Sequence, residues 1–352
     1  MDKNRLQKLM HSSVDTIVTA GFDGYVDSIL RVRCPGDGFF PTLREFGEYI
    51  AGKSQKSCSL ELHREAQKIG GNMPIFSHAL SRLGVTVNCV GAMGYPEVVP
   101  LFKGLGESCR LFSVSNPGHC QALEFDDGKL MLADNEDIEQ LDYGTMIHRC
   151  DREQLVSLFE KSQMIVLLNW SEMKGSLSLW RGLQKEIFPQ LTPQKRSAFI
   201  DLSDCSTRSS QEILEAVELI RSFGSCFDLS VSFNRNEAER VAEVGELVYD
   251  TVDDLAMQLY ELLGCNRLII HLVDGSYCVH QGHVHVQSNR HIEHPVLSTG
   301  GGDNFNAGFV YGLLRGLDCD ECIAFAHGVS GYYVSHGHSP YPEELLSWMT
   351  DG

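Results

Sequence analysis

Runs of β-branched and large apolar residues recur along the chain, and stretches with helical spacing lie between them. The runs are Val14 to Ala20, Val85 to Val90, Met164 to Leu168, Ala198 to Leu202, Leu229 to Phe233 and Leu268 to Val273. Most are continuous rather than alternating, the pattern of strands covered on both faces. Helical spacing occupies Pro74 to Leu83, Leu177 to Ile187, Glu212 to Phe223, Asn236 to Val241 and Val252 to Leu263. Strand and helix alternating this often predict an α/β fold, with a mostly parallel central sheet and helices on both faces. Ligands of such folds gather at the carboxyl ends of the strands.

Two excursions, at about 28–61 and 108–143, lack clean helical periods. The second reads as a hairpin, with Gln121 to Phe125 and Lys129 to Ala133 flanking Asp126-Asp127-Gly128. Both excursions together predict a small β-rich lid hinged to the main sheet. No linker divides the chain, so 1–352 reads as one domain carrying that lid. Exposed lid edges also make a homodimer through the lid an expectation.

A hydrophobic fraction of 43% suits a globular protein with a substantial core. The net charge of −18 repels nucleic acid and anionic membranes, so neither is expected as a partner. No segment approaches the length of apolar chain that spans a bilayer. Met1 to Ser13 lacks the apolar run of a secretory signal, and the 12 cysteines are scattered. A reduced, cytoplasmic setting is the expectation. Cys319 and Cys322 have CxxC spacing but no second pair nearby, and read as thiols on a helix surface.

The most specific motif is Gly300-Gly301-Gly302-Asp303. Consecutive glycines bring backbone close to a ligand, and the helical spacing of Phe305, Phe309, Val310 and Leu313 follows. Such a turn presents free N–H groups at a helix N-terminus, a cradle for a phosphoryl group. Asp303 is placed to take a proton from an alcohol attacking that group. A capped tight turn is the other reading. Lys68-Ile69-Gly70-Gly71-Asn72 precedes another helix, and the Asn72 amide can both donate and accept hydrogen bonds with hydroxyls. Asp23 and Asp27 follow the first strand and are placed to accept from sugar hydroxyls, or to close a solvated turn. Asn234 and Glu237 form a capping box that also offers oxygen ligands for Mg²⁺.

In this order, the motifs resemble the ribokinase-like (PfkB) carbohydrate kinases. One signature is Gly70-Gly71, then Leu83-Gly84 and Gly91-Ala92-Met93-Gly94; the other is Gly300 to Asp303 with Phe305, Ala307 and Gly308. The resemblance implies a three-layer α/β/α sandwich with a β lid, and transfer of the ATP γ-phosphoryl group to a primary hydroxyl of a small carbohydrate. It implies Asp303 as base and Gly300, Gly301 and Gly302 as anion hole. It places Asp27, Asp23, Gly70, Gly71 and Asn72 on the sugar, and Asn234, Glu237, Asp274, Gly275 and Asn306 on the nucleotide side. Glu237 would hold Mg²⁺ through water. Departures are Leu297 for an acidic residue, Ser298 for threonine, Gly301 for alanine, Ile75 for a substrate asparagine, and His271-Leu272-Val273 for Thr-x-Gly. They keep open ADP as donor, a nucleoside as acceptor, and a catalytically silent sugar sensor.

Overall fold

The computed structural model describes residues 3–12, 15–194 and 196–350. Val14, where the first expected run begins, lies outside the described residues, as do 1–2 and 351–352 at the ends of the expected domain. The strands are β1 (Ile17–Phe22), β2 (Tyr25–Val32), β3 (Leu62–Gly70), β4 (Thr86–Ala92), β5 (Cys109–Ser115), β6 (Gly118–Phe125) and β7 (Gly128–Asp134). They continue with β8 (Met164–Leu167), β9 (Ser197–Asp201), β10 (Asp228–Asn234), β11 (Arg267–His271), β12 (Gly275–His280) and β13 (His283–Ser288).

Nine of them form one sheet in the order β13-β12-β11-β10-β9-β8-β1-β4-β5. All pairs from β11 to β5 are parallel, and only β12 and β13 run antiparallel at the edge. The sheet separates two cores. Along β8, Ile165 and Leu167 join one core, which packs against the helices Ser210–Phe223 and Val252–Leu263. Met164 and Val166 face the other, with the helices Asn72–Arg82, Gly301–Leu314 and Cys319–His336. A continuous apolar run thus encodes two buried faces.

The second sheet has the order β3-β2-β6-β7. It corrects the boundaries of the excursions in two places. β5 pairs in parallel with β4 and closes the main sheet, and β3 lies past the end of the first excursion. The first excursion also contains the helix Leu43–Ala51, whose N-cap Thr42 accepts from Glu45 N. Its short apolar stripe, Leu43, Phe46 and Tyr49, covers only Leu30, Val32, Phe40, Leu123 and Phe125, too little for a clear period in sequence. The β6–β7 hairpin turns on Asp126 and Asp127, since Phe125 pairs with Gly128. Asp127 Oδ1 accepts from Leu43 N at 2.6 Å and ties the turn to that helix.

Cys319 and Cys322 are buried rather than on a helix surface. All twelve cysteines are free thiols. Among the described residues, no helix is long and apolar enough to cross a membrane.

Candidate active site

A cavity of about 990 Å³ opens between the carboxyl ends of the main strands and the inner face of the second sheet. Gly300, Gly302 and Asp303 line one side; Asp27, Gly71 and Asn72 line it too, with Tyr25, Cys120 and Met131 of the second sheet. Asn234 and Glu237 also reach it. The structure therefore brings together motifs that lie more than two hundred residues apart in sequence.

Gly300 is the N-cap of the helix Gly301–Leu314, with φ +87° and no side-chain cap. That backbone region is open to glycine at little cost. The first N–H groups of a helix lack intrahelical partners. Here Gly301 N donates to Ser298 O at 3.1 Å and Asn304 N to Gly300 O at 3.0 Å. Gly301, expected in the anion hole, does not line the cavity, whereas Gly300 and Gly302 do.

Asp303 is only 8% exposed, and its Oδ1 has no hydrogen-bond partner. Burial, then the charges of Asp201 and Asp23, push its carboxyl well above the usual carboxylate range; the facing Asn72 amide acts the other way. Desolvation thus outweighs the helix N-terminus, which by itself would favour the anion. The result is an acid with high proton affinity in the cavity wall.

Asp23 departs from expectation. It is fully buried and lies behind the cavity wall, accepting from Asn72 N at 2.7 Å, Met73 N at 2.8 Å and Asn169 Nδ2 at 2.8 Å. Its carboxylate caps the helix Asn72–Arg82, whose own N-cap, Gly71, has no side chain to do so. Burial still raises it to about 7 despite those donors. A Cβ on Gly71 would lie 2.7 Å from Asp23 Oδ2, and one on Gly70 2.4 Å from Asp27 Oδ2. Gly70 therefore leaves room for Asp27 and is not itself on the cavity. Asp27 lines the cavity, its carboxyl raised by burial and then by the charge of Glu172.

On the other side, Asn234 Oδ1 accepts from Glu237 N at 3.0 Å while Glu237 Oε2 accepts from Asn234 N at 2.8 Å. Glu237 is 5% exposed and its carboxyl is raised by burial and by Asp201. Asn306 is fully buried beneath the wall, donating to Asp201 Oδ2 at 2.5 Å and accepting from Ser232 Oγ at 2.7 Å. It orients Asp201 and does not line the cavity. Asp274 lies in the β11–β12 turn and Gly275 begins β12, and neither lines the cavity. His271, just before them, does, packed 5.1 Å from the Phe305 ring.

Asp201, Glu172 and Arg208 are among the cavity residues that escaped the sequence reading. Glu172 follows the end of β8, so the rule that singled out Asp27 also covers it, whereas Asp201 is the last residue of β9 and lies inside the apolar run read there. Arg208 carries no local signal. Its guanidinium donates to Ser171 O at 2.7 Å, Trp170 O at 3.1 Å and Glu212 at 2.7 Å, fixing the loop that presents Glu172.

The sequence profile of the family described as prokaryotic ketohexokinase matches residues 4–351. The chain belongs to that family. A ketohexokinase of Haloferax volcanii is 27% identical over 340 residues, spanning 95% of this chain and 90% of that protein. Adenosine kinase of Sinorhizobium meliloti superposes with a TM-score of 0.67 at 18% identity, over 95% of this chain and 98% of that one. Ribokinase of Arabidopsis thaliana, solved with ribose and ATP, gives 0.64 at 16% identity, over 95% and 98%. The fold is ribokinase-like, a three-layer α/β/α sandwich, and the enzyme is a carbohydrate kinase.

Proposed function

We propose that this enzyme transfers the γ-phosphoryl group of ATP to a primary hydroxyl of a ketohexose, with Asp303 as the proton acceptor. One observation carries the reading: Asp303, buried and with an unpartnered Oδ1, lines the same cavity as Gly300 and Gly302. Family membership supports the choice of a ketohexose. The sugar lies against Asp27 and Asn72, which accept and donate hydrogen bonds to its hydroxyls. Glu172 adds a second carboxylate on that side.

In the reaction, the sugar oxygen forms a bond to the γ-phosphorus as the bond to the bridging oxygen of ADP breaks. The hydroxyl proton passes to Asp303 as the oxygen gains P–O character. The N–H groups of Gly300 and Gly302 hold the equatorial oxygens of the moving group, where a preorganised donor is worth most. The second sheet acts as a lid over the sugar and keeps competing water out.

Mg²⁺ fits the acidic end of the cavity. Asp201, Asp204 and Glu237 line it, and the nearby Arg208 is already committed to carbonyls and to Glu212. Burial raises Asp201 to about 6 against the hydrogen bonds from Ser203 and Asn306, so a cation nearby would favour its ionised form. Among the described residues no three acidic, His or Cys side chains converge as a ready ligand set. Glu237 and Asp201 would therefore hold the ion through water, where it offsets the charge of the phosphates.

Phosphorus NMR of mixtures with ATP, ADP or GTP as donor and fructose, ribose or adenosine as acceptor tests the reading. The expected product is a fructose phosphate monoester formed from ATP and Mg²⁺. A monoester on adenosine alone, or sugar binding without transfer from any donor, contradicts it.

A further inference from the structure

The segment that carries the anion hole is fastened along one helix. Val296 N and Leu297 N both donate to Val334 O, at 2.9 and 3.3 Å. Tyr333 Oη donates to Thr299 O at 2.9 Å, and Ser330 Oγ donates to Gly301 O at 2.8 Å. Tyr333 and Ser330 stand three residues apart in the helix Cys319–His336, so they share a face.

The consequence follows from peptide geometry. In a trans peptide, the carbonyl and the next N–H point to opposite sides, and the peptides from Thr299 to Gly302 are trans. A Thr299 carbonyl drawn to Tyr333 turns Gly300 N–H away from the helix. A Gly301 carbonyl drawn to Ser330 does the same for Gly302 N–H. Thr299, Gly300 and Gly302 line the cavity, whereas a Cβ on Gly301 would lie 3.3 Å from Val334 Cγ2, on the helix side. Gly300 is packed against the same tyrosine, since a Cβ there would come within 2.7 Å of Tyr333 Oη.

We propose that Tyr333 and Ser330 are positioning residues for phosphoryl transfer, aiming the Gly300 and Gly302 N–H groups at the moving phosphoryl group. The inference rests on the kinase reading above. Neither side chain lines the cavity, so neither is expected to touch sugar or nucleotide. Burial and the charge of Asp303 push the Tyr333 hydroxyl up to about 12, so it keeps the proton it donates throughout the working pH range.

The test is steady-state kinetics of Tyr333→Phe and Ser330→Ala with fructose and ATP. Binding of ADP alone, and of ADP with Mg²⁺, fructose and aluminium fluoride, is measured beside it. Misaiming a donor costs about 10- to 100-fold in kcat for Tyr333→Phe, with Ser330→Ala milder. The fructose KM and the ADP affinity stay unchanged, while affinity for the fluoride complex falls by the same factor as kcat. A Tyr333→Phe enzyme with wild-type kcat overturns the positioning role. So does one whose ADP and fructose affinities fall together with kcat, because that is a general structural defect. Wild-type protein that transfers no phosphoryl group overturns the kinase reading instead.

Discussion

The side of the cavity formed by Gly300, Gly302 and Asp303 begins a helix whose residues from Asp303 to Gly312 are all buried. The facing side is borne by a four-stranded sheet whose outer strands, β3 and β7, are almost wholly exposed. Five buried apolar residues, under the helix Leu43–Ala51, hold the far end of that sheet. Low burial means low local stability, the usual property of parts that open and close over a ligand. On the proposed reading, the chemistry therefore sits on the more buried part of the molecule, and the sugar meets the more exposed second sheet through Asp27. A phosphoryl group needs donors fixed in advance; a sugar needs a door.

The largest effect expected from breaking this division is at Asp303. Asp303→Asn lowers kcat by about 10²–10⁴-fold with sugar-induced thermal stabilisation retained; a variant near wild-type kcat removes Asp303 from the mechanism. Its raised carboxyl also places the acid limb of the wild-type kcat/KM profile above the ordinary carboxylate range, with activity rising as pH increases. A limb at about 4 contradicts that.

Asp27→Asn acts on the other side. Loss of a charged acceptor raises the sugar KM by about 10- to 100-fold, with a smaller change in kcat. A fall in kcat at unchanged KM would move Asp27 from binding to chemistry. Phe46→Ala removes a ring stacked 5.3 Å from Phe125 and set edge-on to Phe40 at 5.4 Å. The sugar KM rises a few-fold and hydrogen exchange quickens in β6 and β7, while the main sheet keeps its protection. Equal loss of protection in both sheets would erase the contrast.

The smallest effect concerns acidity. Asp201 and Asp23 are raised from 3.8 to about 6 and about 7. The folded state thus keeps protons that the unfolded chain has released, and stability falls as pH rises through that window. Melting temperature in the absence of metal declines across it by a few degrees. Added Mg²⁺ restores more at pH 8 than at pH 5, because it binds the ionised carboxylates. The same Mg²⁺ effect at both pH values counts against the acidic end as its site.

Much of this was legible in sequence because local rules agreed with the global fold. Continuous apolar runs marked the main strands, and Gly300 to Asp303 marked the helix that faces the cavity. The second sheet was less legible, since β3 is nearly all polar and reads as neither strand nor helix. At the site, spacing revealed which residues lie near a strand end but not which way they point. Asp23 and Asp27 are four residues apart, yet one caps a helix behind the wall and the other lines the cavity. Asn306 shares a helix with Asp303, and its side chain is spent on Asp201. Asp274 and Gly275 follow a strand end as Asp27 follows β1, but their turn folds outside the cavity. Tyr333 and Ser330 act through carbonyls of another segment, a relation that no spacing in one sequence displays.

The central claim is that an acid and bare peptide amides meet across one phosphoryl group. Crystallography of the enzyme with fructose, ADP, Mg²⁺ and aluminium fluoride tests it most directly. The fluoride group is expected on the Gly300 and Gly302 N–H groups, with a primary hydroxyl of the sugar in hydrogen-bond contact with Asp303. Fluoride bound elsewhere, or a sugar whose hydroxyls all lie out of reach of Asp303, contradicts it.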